Sequence, residues 1–286
     1  MSIFQILLLA LVQGAAELLP VSSSAHVIVA EKLLGLDPTR PEMTMLLVML
    51  HTGTMVAVIL YFWRSWRENY FSSRRESWNF AQRVAVATVI TGIIGLALKF
   101  VIEKVALRNV PHAEIELIFG NLALIGVSLG VVGLLIIYAG MRAERPEHPG
   151  RQALQGSALI GAVQGLCLPF RGFSRSGATI SAGLILGINK ERVEEFSFAL
   201  AVVLTPPVIL REVMRLWKAQ AVSAAQGAGI FSLFLPSLLG MVFSCLAGLL
   251  ALRWLSRWLE QGRWQFFGIY CLVASATVLW LHKLGF

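Results

Sequence analysis

Charge is what this sequence has least of. Only 14% of its 286 residues are Asp, Glu, Lys or Arg, whereas soluble domains carry about 25%. An ordinary water-soluble enzyme or binding module is thereby excluded. No Lys or Arg precedes Lys32. Met1–Val12 is apolar but lacks a positive leading region and a small-residue cleavage site, so it does not read as a signal peptide. Cysteine is also scarce. Cys167, Cys245 and Cys271 lie far apart in apolar segments, without the spacing of a metal site, and read as packing residues.

What fills the chain instead is apolar sequence, 57% by residue count, with a mean hydropathy of +0.73. Six stretches are long and apolar enough to span a bilayer core of about 30 Å: 43–63, 84–102, 117–141, 193–212, 229–252 and 264–282. Two further apolar regions, 3–34 and 153–188, are interrupted by Pro, Gly, Ser and charge. The fold class expected is an all-α, multi-pass integral membrane protein forming one membrane domain over 1–286. The net charge of +8 then needs no nucleic-acid partner, because basic residues collect in the cytoplasmic loops of membrane proteins.

Half-way along, the sequence repeats itself. Val12-Gln13-Gly14 returns as Val163-Gln164-Gly165, and Ser22-Ser23-Ser24 has a counterpart in Ser174-Arg175-Ser176. Each half, about 1–150 and 151–286, reads as a re-entrant broken helix hairpin followed by three transmembrane helices. Three is odd, so the halves should lie in opposite orientation, the inverted-topology plan of many transporters. With both termini outside, the loops 64–83, 142–152 with 188–192, and 253–263 fall inside. They hold thirteen Lys and Arg, Arg145 and Arg151 among them, against eight outside, which agrees with the positive-inside rule.

The interruption at Gln13–His26 is the most informative segment. Gln13 and Glu17 are four apart and share a helix face. Pro20 stops that helix, since it lacks an N–H and clashes with the preceding turn. Ser22, Ser23 and Ser24 suit the start of a second helix, whose free N–H groups and dipole attract anions such as phosphate. Ser174-Arg175-Ser176-Gly177 looks like a matching start with a guanidinium that can grip phosphate oxygens in pairs. Serines in membrane helices also serve as plain caps or close-packing residues. A lone His in an apolar segment is usually a hydrogen-bonded core residue, the default for His51 and His112, and Arg211 reads as snorkelling to an interface. Glu17 is different, because an intramembrane carboxylate is expensive and marks function.

These residues resemble the undecaprenyl-pyrophosphate phosphatases of the bacterial envelope. Gln13-Gly14-Ala15-Ala16-Glu17 is similar to that family's (E/Q)xxxE motif, Pro20–His26 to PxSSxxH, and Arg171–Thr179 to PGxSRSGxT. His51-Thr52-Gly53-Thr54 with Ala57 and Tyr61-Phe62, and Glu195-Phe196-Ser197-Phe198, also look like the family. The order and spacing match along essentially the whole chain. Two positions depart from the pattern: Arg171 stands where Pro is usual, and Ala25 where Gly is common.

The resemblance implies hydrolysis of a C55 prenyl diphosphate to the monophosphate on the outer face of the bacterial plasma membrane, recycling the cell-wall lipid carrier. It also implies a link to bacitracin resistance and dependence on Mg²⁺ or Ca²⁺. Glu17, Ser23, His26 and Arg175 become the catalytic set. Ser23 is the favoured nucleophile, with His26 as general acid or base or itself the attacking group. Ser22, Ser24, Ser174, Ser176, Gly177 and Thr179 are expected to bind the substrate, and Gln13 with Glu17 the cation. A second copy of the chain is a candidate partner. Two other functions stay open: a phosphatase for a different prenyl or lipid phosphate, and a lipid flippase built on transporter-like repeats.

Overall fold

A computed structural model describes residues 2–37, 41–106, 108, 115–142, 154–222 and 230–285. His112, Arg145 and Arg151 lie outside them. The described residues form ten α-helices and no strand: α1 Ile3–Leu18, α2 Ser23–Leu33, α3 Pro41–Asn69, α4 Arg74–Val101, α5 Leu122–Arg142, α6 Leu154–Cys167, α7 Arg175–Ile185, α8 Lys190–Val222, α9 Ile230–Glu260 and α10 Gln265–Lys283. A π-helical turn, Ile102–Ala106, follows α4, and a 3₁₀ turn, Ile115–Ile118, precedes α5.

Among the described residues, five helices, α3, α4, α5, α9 and α10, are long and apolar enough to cross a membrane. The chain is an all-α, multi-pass membrane protein. The sixth expected span, 193–212, falls inside α8, a continuous helix that carries Pro206 and Pro207; the Arg211 side chain lies outside the described residues. The apolar stretch at 117–141 is shorter as a helix than expected, because the 3₁₀ turn and Asn121 precede it; the Asn121 side chain accepts the Leu124 N–H at 3.1 Å. On α4, Val89, Ile93, Leu96 and Phe100 are exposed. In water such a stripe would be a liability, whereas lipid tails are as apolar as the side chains themselves.

Where lipid surrounds the helices, burial of apolar surface does not drive their association, and close backbone approach matters instead. Two glycines supply it at matching places. A Cβ on Gly14 of α1 would sit 2.6 Å from the Ser244 carbonyl of α9, and a Cβ on Gly165 of α6 would sit 2.8 Å from Ile94 of α4. Accordingly α1 packs on α9 and α6 on α4, while α1 pairs with α2, α6 with α7, α3 with α8, and α5 with α10. These pairings exchange with one another when the halves are exchanged. The exchange is not complete, since α3 lies along α9 far more than α4 lies along α8.

Both short hairpins break where the sequence says they should. Leu19, ahead of Pro20, has φ −72° and ψ 150°, the extended backbone that a following proline enforces. In the other half, Gly172 has φ +102°, and a Cβ there would collide with the Ile125 carbonyl of α5. That turn therefore needs glycine, and it delivers Ser174 to the start of α7. The two breaks touch: Ser176 Oγ donates to the Leu19 carbonyl at 3.3 Å, and the Cys271 thiol of α10 to the Pro20 carbonyl at 3.3 Å.

Candidate active site

Where the breaks meet there is a cleft of about 280 Å³. Its walls include Glu17 from α1, Ser22, Ser23 and Ser24 from the start of α2, His51 from α3, and Ser174, Arg175 and Ser176 from the start of α7. Seven of the eleven residues expected to form the site thus face one space. Four do not line it: Gln13, His26, Gly177 and Thr179.

Glu17 is the hub. Its Oε2 accepts from the Ser23 hydroxyl at 2.5 Å and from the Gln13 amide at 3.0 Å. The guanidinium of Arg175 lies 3.7 Å from Oε1, and the Nε2 of His51 lies 3.8 Å from Oε2. Glu17 and Arg175 keep only 21% of their side-chain surface each, so their attraction is little screened. A carboxylate that accepts a serine hydroxyl is placed to take its proton, the usual way a weak nucleophile is activated.

The two helix starts differ in a way that suits binding. At α7 the Ser174 hydroxyl accepts from the Gly177 N–H at 3.2 Å, as a normal cap does. At α2 no side chain caps the helix. The Ser22 hydroxyl turns to that of Ser24, 3.4 Å away, and the first N–H groups of α2 are left for an anion. Ser22 also holds φ 68°, a backbone region that a non-glycine residue enters at a cost of about 1–3 kcal/mol. Such strain collects at functional sites.

The residues outside the cleft wall hold the others. Thr179 is fully buried; its hydroxyl pairs with that of Ser197 at 2.6 Å and reaches the Arg175 carbonyl at 2.8 Å. The Ser197 carbonyl in turn accepts from Arg175 Nη1 at 3.3 Å. The Glu195–Phe198 segment therefore aims the guanidinium from behind.

The two histidines exchange expectations. Nδ1 of His26 contacts the Ser22 carbonyl at 2.8 Å and Nε2 contacts the Tyr270 hydroxyl at 2.6 Å. A carbonyl only accepts, so Nδ1 carries the proton, and the Nε2 lone pair of the neutral ring is engaged by Tyr270. His51 has the same Nδ1 arrangement, 2.8 Å from the Leu47 carbonyl, but its Nε2 faces Glu17 and the cleft. The default reading of His51 as a core residue does not fit this placement. Only its position in the His51-Thr52-Gly53-Thr54 stretch could have hinted at it.

The family model for bacitracin resistance protein BacA matches residues 6–277, which takes in every element of the cleft. The chain belongs to the BacA family. Within it, undecaprenyl-diphosphatase 2 of Acinetobacter baylyi is 56% identical over 282 residues, 98% of each chain. Undecaprenyl-diphosphatase of Thermus thermophilus is 34% identical over 279 residues, 96% of each chain. Undecaprenyl-diphosphatase 2 of Burkholderia ambifaria is 30% identical over 293 residues, 98% of this chain and 96% of that one.

Proposed function

We propose that this protein is a membrane phosphatase that hydrolyses undecaprenyl diphosphate to undecaprenyl phosphate and inorganic phosphate. The observation that carries the reading is the Ser23 hydroxyl on the Glu17 carboxylate, in a cleft between two helix starts that also holds Arg175. A cleft bounded by membrane helices explains why the catalyst needs no soluble domain, since the prenyl tail stays among lipids.

The chemistry follows in two displacements. Ser23 Oγ attacks the terminal phosphorus and passes its proton to Glu17. The bridging P–O bond breaks, and its electron pair leaves on prenyl monophosphate. Water then attacks the phosphoserine, breaks the Oγ–P bond and regenerates Ser23 as inorganic phosphate departs. Arg175 and the N–H groups at the α2 start stabilise the charge that gathers on the equatorial oxygens. His51 Nε2, beside Glu17, is the ring nitrogen placed to receive the proton from Glu17 or to hold the carboxylate in line.

A divalent cation fits this site as one shared with the substrate. Among the described residues no three His, Cys, Asp or Glu side chains converge into a metal cage. Glu17 is the carboxylate that would hold it, with the Gln13 amide oxygen and His51 beside it, and Mg²⁺ is commonly held by one or two carboxylates plus substrate phosphates. When bound it supplies charge neutralisation of the diphosphate.

Phosphate release from undecaprenyl diphosphate by the purified protein, with and without chelator, tests the reading. A flippase moves lipid without releasing phosphate, and a phosphatase for another lipid prefers a different tail or headgroup. For the histidines, His51→Ala is expected to lower turnover about 10²-fold and His26→Phe to cost far less. Initial rates on the two variants check this order, and the reverse order would restore His26 to the chemistry.

The reading also sets orientation. The halves are read as an inverted repeat in the plasma membrane, with the cleft on the outer face; the exchanged helix pairings and the basic inside loops support it. In a variant without native cysteines, Ser73→Cys should resist an impermeant thiol reagent on intact cells, while Gly285→Cys should react. The opposite pattern would put the cleft on the cytoplasmic side.

A further inference from the structure

Arg171 is one of two residues at which this chain leaves its family's motif, and no step of the diphosphatase chemistry uses it. It sits in the turn between α6 and α7, four residues before Arg175, and lines the same cleft. Its guanidinium lies 4.6 Å from the centre of the Phe119 ring. That cation–π contact restrains the guanidinium where it lines the cleft. Phe119, Leu168 and Phe170 give this part of the cleft its apolar wall. Behind it, Glu31 is a 4%-exposed carboxylate whose Oε1 has no hydrogen-bond partner, within electrostatic reach of Arg171.

The charge balance of the cleft makes Arg171 informative. Arg175 is already committed to Glu17 and to the Ser197 carbonyl, so the pair contributes little net charge. A diphosphate brings more negative charge than a monophosphate and spreads it over two centres. The phosphorus under attack must lie at Ser23, among the helix starts. The prenyl-linked phosphate then lies toward the apolar wall, where Arg171 stands.

We propose that Arg171 is a further substrate-binding residue that holds the prenyl-linked phosphate, the leaving group of the first displacement, and so strengthens the cleft's preference for diphosphates over monophosphates. The inference rests on the diphosphatase reading. A monophosphate bound with its phosphorus at Ser23 does not reach Arg171, whereas a diphosphate spans both arginines. A planar fork held on an aromatic face also loses little freedom on binding.

The test compares the wild type with Arg171→Gln and Arg171→Lys in detergent, each first checked for an unchanged elution profile and melting temperature. Binding of inorganic pyrophosphate and of inorganic phosphate is measured by calorimetry, and KM and kcat on a prenyl diphosphate by phosphate release. Arg171→Gln is expected to weaken pyrophosphate about tenfold or more while phosphate changes far less, the worth of a charge-assisted contact. KM for the prenyl diphosphate should rise in parallel, and Arg171→Lys should keep part of both. Equal weakening of the two anions, or no weakening of either, overturns the proposal. If the wild type releases no phosphate from a prenyl diphosphate, the diphosphatase reading fails, whereas normal release with an unchanged pyrophosphate-to-phosphate ratio in Arg171→Gln removes only the role of Arg171.

Discussion

Glu17→Gln is expected to lower phosphate release by about 10³-fold or more, within the range that general-base groups and charge stabilisation supply together. The substitution keeps the size of the side chain and leaves an amide that can still meet Ser23 and Gln13. What it removes is the charge that faces Arg175 at 3.7 Å and the basicity that draws the Ser23 proton at 2.5 Å. Protein level in the membrane should be near that of the wild type, because α1 is anchored by Gly14 against α9 rather than by Glu17. Initial rates at saturating substrate, normalised to folded protein, check the effect. Turnover at the wild-type rate would remove Glu17 from the mechanism.

Arg175→Lys should cost about 10²-fold in kcat, although it keeps the charge. The guanidinium does three things at once: it meets Glu17, it donates to the Ser197 carbonyl at 3.3 Å, and it fronts the cleft. A lysine ammonium is a point charge without the planar fork, so it cannot hold the backbone contact and present paired donors to phosphate together. The loss should therefore appear in kcat more than in KM. A lysine variant with full activity would mean that charge alone matters there. The neighbouring Thr179–Ser197 bond suggests a control: Ser197→Ala leaves the carbonyl in place, and its loss should be much smaller.

Much of this is legible in the sequence alone. Pro20 stopping α1, the serine-rich start of α2 and the cap at Ser174 are local events, governed by backbone donors and acceptors within a few residues, and sequence patterns report them well. Glu17 stood out because a carboxylate in apolar sequence has few reasons to be there. The histidines were not legible in that way. His26 lies close to Ser23 in sequence, but its ring is turned to Tyr270, 244 residues away. His51 reaches Glu17 only because α3 packs against α1. Which of two rings opens into a cleft depends on tertiary partners that no spacing encodes. Thr179 shows the same limit: its motif position suggested a ligand contact, whereas its hydroxyl is spent on Ser197.

The role of Ser23 is where the account is most exposed. Purified protein is mixed with a prenyl diphosphate labelled on its terminal phosphate, quenched in acid within the first turnover, and digested for peptide mass spectrometry. Phosphoryl transfer to Ser23 is the predicted result, with the label on the peptide that carries Ser22–His26, lost in Ser23→Ala and accumulating when the second displacement is slowed. Label carried by His26 or His51 in place of Ser23, or normal turnover by Ser23→Ala, would contradict the account.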